Sequence, residues 1–388
     1  MTGRAALGDV GWDPYAVERL QRNVLRQRTA GLRFDRAVLE NRSPRVLCVD
    51  ERSNSLLLSA SSESIAVLSL NSLVKEERPV KNQFDDAVWY PFDSGMFVSC
   101  SGQKLRLWDT LRLAAVRTVD VSSRCNQLAF SSVPNSAGIV AVATSHGQIR
   151  LINLVSGSAA HTLNSGSDNE IVSLCWSPRD SHILISGGAD SRLLVWDIRK
   201  SNSCLAALDE LNQQHSMSSA RALRQHRSVG SLPSNLTTAH AKASVNSVTF
   251  VDDGRSILST GSDGSIRLWR ESSVLNYYHN AQLAYSKRVA GPRGLLGFHL
   301  CHTRETGLMF TAEGMRDNVV QCIDILTGQP IATLSAHVRK IRCLAFRHDF
   351  DPELFTAADD GFVLRWRYKS PDVDQTGVEV DDEDYWSS

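Results

Sequence analysis

The sequence predicts an all-β protein, a seven-bladed β-propeller with an N-terminal helix and a disordered acidic C-terminal tail. Three observations predict it. An apolar run that ends in a large residue and a turn recurs seven times, with its key position at Val49, Trp89, Phe130, Trp176, Phe250, Phe298 and Phe346. A later run in each copy closes on Leu68, Trp108, Ile152, Trp196, Trp269, Ile323 and Trp366. Between the runs stand Gly, Ser and Asp, the residues that let a chain reverse direction.

The copies recur at about 44 residues, room for four short strands and their turns, which is the signature of a WD-repeat propeller. The first and sixth copies are degenerate, which leaves six or eight blades as alternatives to seven. We divide the chain into an N-terminal helical segment (1–30), the seven-bladed WD-repeat β-propeller (31–369) and the tail (370–388).

Taken in order, DPYAVERLQRNVLRQR (13–28) reads as a helix. Asp13 suits the N-cap and Pro14 the first helical position. Val17, Leu20 and Val24 then fall on one face at helical spacing, with the arginines elsewhere. A ring closed by its own blades offers that face nothing to cover. LRFDRAVLE (32–40) reads as a strand, expected as the outermost strand of the last blade because the chain meets Pro371 soon after Trp366. Such a closure removes the sheet edge. The long interval between Trp176 and Phe250 locates an insertion at 211–238, rich in Ser, Gln, Asn and Arg and expected to be a mobile loop between blades four and five. Arg221, Arg224 and Arg227 lie in it.

Forty-two acidic residues balance forty-two basic ones, but residues 370–388 hold seven acids and no base, so the remainder carries +7 (42 minus 35). That is mild for its size and argues against strong direct DNA binding. No segment reaches the length of a membrane span, and the N-terminus lacks the apolar core of a secretory signal. Eight scattered cysteines with no C-x-x-C pair suggest a reducing compartment and no structural zinc.

His240, Asp263 and Trp269 recur as His337, Asp360 and Trp366, and Asp190 precedes Trp196 by the same interval. A catalytic set would not be copied from blade to blade, so these residues are expected to tie strands together by buried hydrogen bonds. Blade two has Gly102 at the aspartate position. No phosphate loop, zinc-protease motif or nucleophile elbow occurs, and we expect no enzyme activity and no cofactor. A propeller without chemistry binds through its rims.

The third-run endings read WDTL, INLV, WDIR, WRES, IDIL and WRYK from blade two to blade seven. Only WDIR sets an arginine, Arg199, two residues past an aspartate, Asp197, with Lys200 next to it. We expect all three to project from one rim, where the planar fork of arginine suits an interface. The window ILISGGADSRLLVWDIR resembles the WDxR box of substrate receptors that bind the adaptor of cullin-4 RING ubiquitin ligases. With WYPFDSGMF (89–97), residues 176–209 and EDYWSS (383–388), the layout of nearly the whole chain is similar to the Cockayne syndrome group A family.

The resemblance implies a nuclear, non-enzymatic receptor in transcription-coupled nucleotide excision repair. The implied partners are DNA damage-binding protein 1 as adaptor, and cullin-4 and a RING subunit through it. It also implies the Cockayne syndrome group B remodelling ATPase and stalled RNA polymerase II. It places the helix face of Val17, Leu20 and Val24 in the adaptor, and leaves Tyr385 and Trp386 in the acidic tail as a candidate short motif. Two other readings stand beside it, a propeller that binds DNA or chromatin directly and a general scaffold outside any ligase.

Overall fold

The computed structural model describes residues 23–368, apart from 41–43, 51–55, 62–63, 73–74, 80–83, 134–137, 201–203, 209–237, 241–242, 252–253, 272–277, 287–299, 303–306, 313–317 and 349–351. The insertion, save Thr238, and the acidic tail lie outside the described residues.

Seven four-stranded antiparallel sheets form seven blades. Six take their strands in chain order, at 44–79, 86–120, 125–164, 171–208, 245–286 and 300–335. Blade seven takes three strands from 341–368, and its fourth, outermost strand is Leu32–Glu40, paired antiparallel with Phe362–Tyr368. The helix covers residues 23–30, and Gly31 alone separates it from that strand.

One rung runs across each blade. Trp176 faces Leu184 and Leu184 faces Trp196. Phe250, Ile257 and Trp269 align in the same way, as do Phe346, Leu354 and Trp366. All seven third-strand positions expected from sequence fall on these rungs. Blade six corrects one first-strand position. There Ile323 meets Met309 and Met309 meets His302, so His302 and not Phe298 holds the rung. Phe298 lies outside the described residues. An aromatic residue marks a first strand only by composition, whereas hydrogen bonding to the middle strand sets the register.

Each sheet is covered on both faces, so its central strands read as continuous apolar runs rather than alternating ones. In the second strand of blade one, Leu57 packs toward blade seven and Leu58 toward blade two. Seven apolar clusters result, one at each junction between adjacent blades. Side chains on the inner strands also bridge blades. Asp86 accepts a hydrogen bond from the Leu128 amide at 2.8 Å, Gln127 accepts one from the Leu174 amide at 2.6 Å, and Trp89 Nε1 donates to the Cys48 carbonyl at 3.1 Å.

The closing strand belongs to this ring. Leu32 is buried against blades six and seven, and Leu39 is buried at the junction of blades seven and one. Arg365, buried against Glu353 at 2.7 Å, also reaches Asp35 of the closing strand at 3.8 Å. Deleting residues 1–40 removes two buried leucines, whose burial is worth about 3–6 kcal/mol together, and leaves an open strand edge. We therefore expect a marked fall in melting temperature by calorimetry. The milder Leu39→Ala should cost about 2–5 kcal/mol in urea unfolding. An unchanged melt for the deletion would contradict the role of this seam.

Candidate docking rim

Turns that join first to second strands and third to fourth strands open on one rim of the ring. Turns that join second to third strands, and one blade to the next, open on the other. WDIR lies at a third-to-fourth turn, and the residue after the third-strand rung position has a recurring task there. Asp109 accepts the Arg112 amide at 2.9 Å, Asn153 accepts those of Val155 and Ser156, and Asp324 accepts those of Leu326 and Thr327. Asp197 does the same for the Arg199 amide at 3.0 Å. A short side-chain acceptor that bonds the backbone two or three residues on is what closes such a turn.

This corrects the expectation for Asp197. It does not project with Arg199 but is buried, with its side chain 3% exposed, because capping draws the carboxylate inward. Arg199, 57% exposed, folds back over it. Its Nε and Nη2 each donate at 3.0 Å, one to each carboxylate oxygen, and Lys200 Nζ stands 3.8 Å away. The Arg199 hydrogen bonds hold the Asp197 carboxyl below its ordinary range against the opposing effect of burial. A guanidinium has five N–H groups, so the fork leaves three to face outward in a fixed plane. The neighbouring first-to-second turn is tied on by the Ile198 amide, which donates to the His182 carbonyl at 3.0 Å. In that turn Asp180 and His182 pair at 2.9 Å.

The helix meets the same rim in blade six. Arg26 forms an ion pair with Asp324, the counterpart of Asp197. Arg28 stacks over Tyr368 with its guanidinium 5.9 Å from the ring centre. Thr29 is buried, its hydroxyl donating to the Leu25 carbonyl, whereas Val24 is 44% exposed. Val17 and Leu20 lie outside the described residues.

The repeated His, Asp and Trp residues form relays inside blades five and seven. Trp269 Nε1 donates to Ser259 Oγ at 2.9 Å, and that hydroxyl meets His240 Nε2 at 2.8 Å. His240 Nδ1 meets Asp263 at 3.2 Å. In blade seven the sequence is Trp366, Thr356, His337 and Asp360, joined at 2.9, 2.7 and 2.8 Å. Gly261 makes room for the first relay, since a Cβ there would stand 2.3 Å from His240 Nδ1. Ser259 and His240 are fully buried, so no substrate reaches this serine or histidine in the folded blade.

The other blades keep fragments. Trp196 donates to Ser186 at 2.8 Å, but Asp190 turns to Arg192 and meets no histidine, because blade four has Ser167 where blade five has His240. Blade two retains the bond from Trp108 to Ser99 with Gly102 in a left-handed turn. Blade three holds Ser123 and His146 at the two positions, 3.0 Å apart. Among the described residues no group of three His, Cys, Asp or Glu is placed to hold a metal, and no helix is long and apolar enough to cross a membrane.

Sequence reasoning missed the residues beside Arg199 on this rim. The position three past the third-strand rung holds Leu111 in blade two, Val155 in blade three and Leu326 in blade six, exposed by 82, 80 and 59%. Their letters close WDTL, INLV and IDIL. The signal lay in reading those endings as one column.

The family described as WD domain, G-beta repeat matches residues 157–197, 230–270 and 328–367. Each match ends on the residue after a third-strand tryptophan, in blades four, five and seven, so the chain is a WD-repeat protein as well as a propeller by fold. WD repeat-containing protein ATCSA-1 of Arabidopsis thaliana is 26% identical over 366 residues, which span 81% of this chain and 78% of that protein. Radiation-sensitive protein 28 of Saccharomyces cerevisiae is 26% identical over 228 residues, 54% of this chain and 44% of that protein. A chain in a crystal structure of the mitotic checkpoint complex superposes with a TM-score of 0.65, covering 95% of this chain and 97% of its own length, at 15% identity, a likeness of fold alone.

Two outcomes test the relay in blade five. Ser259→Ala strands Trp269 Nε1 and a histidine nitrogen, and should cost about 2–4 kcal/mol in urea unfolding. Burial raises the Asp263 carboxyl, but the bonds and charge of His240 and the bonds of Ser265 outweigh it and bring it down to about 2. A folded-state value below the unfolded one gives stability that is present above the unfolded value and is lost as pH falls through about 2. The deficit of Asp263→Asn relative to the native chain should therefore narrow as unfolding is measured from pH 6 toward pH 3. A deficit that does not change with pH would contradict an ionised Asp263.

Proposed function

We propose that this WD-repeat propeller is the substrate-recognition subunit of a cullin-4 RING ubiquitin ligase, acting in transcription-coupled nucleotide excision repair at stalled RNA polymerase II. The observation that carries the reading is Arg199. It is an exposed arginine, locked in plane by a buried aspartate, at a rim position where the neighbouring blades have no cation. Pre-organisation of this kind lowers the entropy lost on binding and favours a bidentate contact with a partner carboxylate. The plant and yeast relatives support the same reading, one by likeness across most of the chain and the other by its radiation-sensitive name.

In this reading DNA damage-binding protein 1 takes Arg199, Lys200 and the turn built on Asp197. The helix face of Val17, Leu20 and Val24 enters the same adaptor, a reading supported by the ion pair between Arg26 and Asp324, which ties the end of that helix to the rim that carries Arg199. Cullin-4 and the RING subunit join through the adaptor. The Cockayne syndrome group B remodelling ATPase and RNA polymerase II are partners away from it, and the complex works in the nucleus. The propeller supplies no chemistry and presents what is to be modified.

Arg199→Ala should leave the blade folded, since Asp197 keeps its backbone bond and its place in the turn. Adaptor affinity should fall roughly thirty- to a thousand-fold, as for a central arginine at an interface. Arg124→Ala, 58% exposed on the other rim, should change nothing. Biolayer interferometry with purified adaptor and thermal melts of each variant decide it. Undiminished binding by a folded Arg199→Ala protein would remove the main support for the ligase. We also expect no submicromolar binding to plain or lesion-containing duplex DNA at physiological salt in a fluorescence-anisotropy titration.

A further inference from the structure

We infer that Leu111 and Val155, the register counterparts of Arg199 in blades two and three, form with it one continuous docking edge for a partner surface that offers an apolar strip ending in an acidic group. The inference rests on the reading that Arg199 docks the ligase adaptor, and extends that contact across two further blades.

Scattered exposed apolar residues are ordinary on protein surfaces. These are not scattered. Each lies three residues past a third-strand rung position, in adjacent blades, and each is more than three-quarters exposed. In blade one the same column holds Asn71, whose side-chain oxygen accepts a bond from Arg347 at 3.2 Å, so there the position serves the ring itself.

The turns that carry the two residues are fixed, although the side chains are open. Arg117, from the outer strand of blade two, donates to the carbonyls of Leu154, Val155 and Ser156 of blade three. Gly157, in a left-handed conformation, lets it approach, for a Cβ there would stand 2.9 Å from the guanidinium. In blade two the Thr110 amide donates to the Gly95 carbonyl at 2.8 Å and its hydroxyl to that of Ser94 at 3.2 Å. Two large aliphatic groups are thus held out on hydrogen-bonded turns, a costly arrangement in water and a favourable one against an apolar partner. Arg112, Arg117, Arg199 and Lys200 accompany them, so the partner surface is acidic at its margin.

The test uses the full chain and purified adaptor in biolayer interferometry. Leu111→Ser and Val155→Ser should each weaken binding about tenfold, and the double variant on the order of a hundredfold. Val338→Ser, equally exposed at 81% but on the opposite rim, should leave it unchanged. Hydrogen exchange in the complex should show protection at residues 109–113 and 153–157. Full affinity in the double variant, with Arg199→Ala still defective, overturns the edge and leaves the docking reading standing. A native chain that does not bind the adaptor, or binds it equally well after Arg199→Ala, overturns both. Melting temperatures within about a degree of the native value show that any loss is at the interface.

Discussion

The pairing of Leu32–Glu40 with Phe362–Tyr368 is the contact on which the remaining architecture depends. Every other blade is made of consecutive strands and could in principle form alone. None could stay folded alone, because each sheet is apolar on both faces and needs a neighbour on either side. With seven junctions for seven blades, no sheet face is left uncovered, and the circle is completed by one antiparallel seam. The buried Glu353, bonded to Arg347, Arg365 and Arg367, and the reach of Arg365 to Asp35, add charge pairing at that seam.

A closed ring fixes each register position in space, so differences between blades at one position become differences around a rim. The residue after the rung caps a turn in blades two, three, four and six. The residue two further on then stands outward, free to be Leu, Val or Arg without consequence for the fold. Inside the blades the same logic runs in reverse. The relay of Trp, Ser or Thr, His and Asp is complete only in blades five and seven; blade two keeps its tryptophan and serine, and blade four those two and an aspartate turned to Arg192. The ring tolerates this because the junction cores, not the relays, join one blade to the next.

Much of this was legible in the residues. Seven third-strand positions and the use of LRFDRAVLE in the last blade follow from spacing, since both depend on a repeat that the chain displays seven times. Blade six escaped at its first strand because Phe298 has the right composition but His302 has the right hydrogen-bond partners. Asp197 was misjudged for a related reason. Strand periodicity sends a side chain to one face or the other, but says nothing of an aspartate that curls back to close a turn. The likeness of Leu111 and Val155 to Arg199 stands in the column of third-strand endings, but that both side chains are open to solvent follows only from the structure.

The seam has a consequence for the making of the protein. Glu40 leaves the ribosome more than 300 residues before Phe362, the first residue of its partner strand. At about 5–20 residues per second, the first strand waits roughly twenty to sixty seconds for the last. Throughout that interval Leu32 lacks the blades that bury it, Leu39 has at most the blade-one half of its cluster, and an unpaired strand edge is a template for any other extended chain. The open edge is thus a property of the growing chain alone, and it disappears when synthesis brings the two ends together.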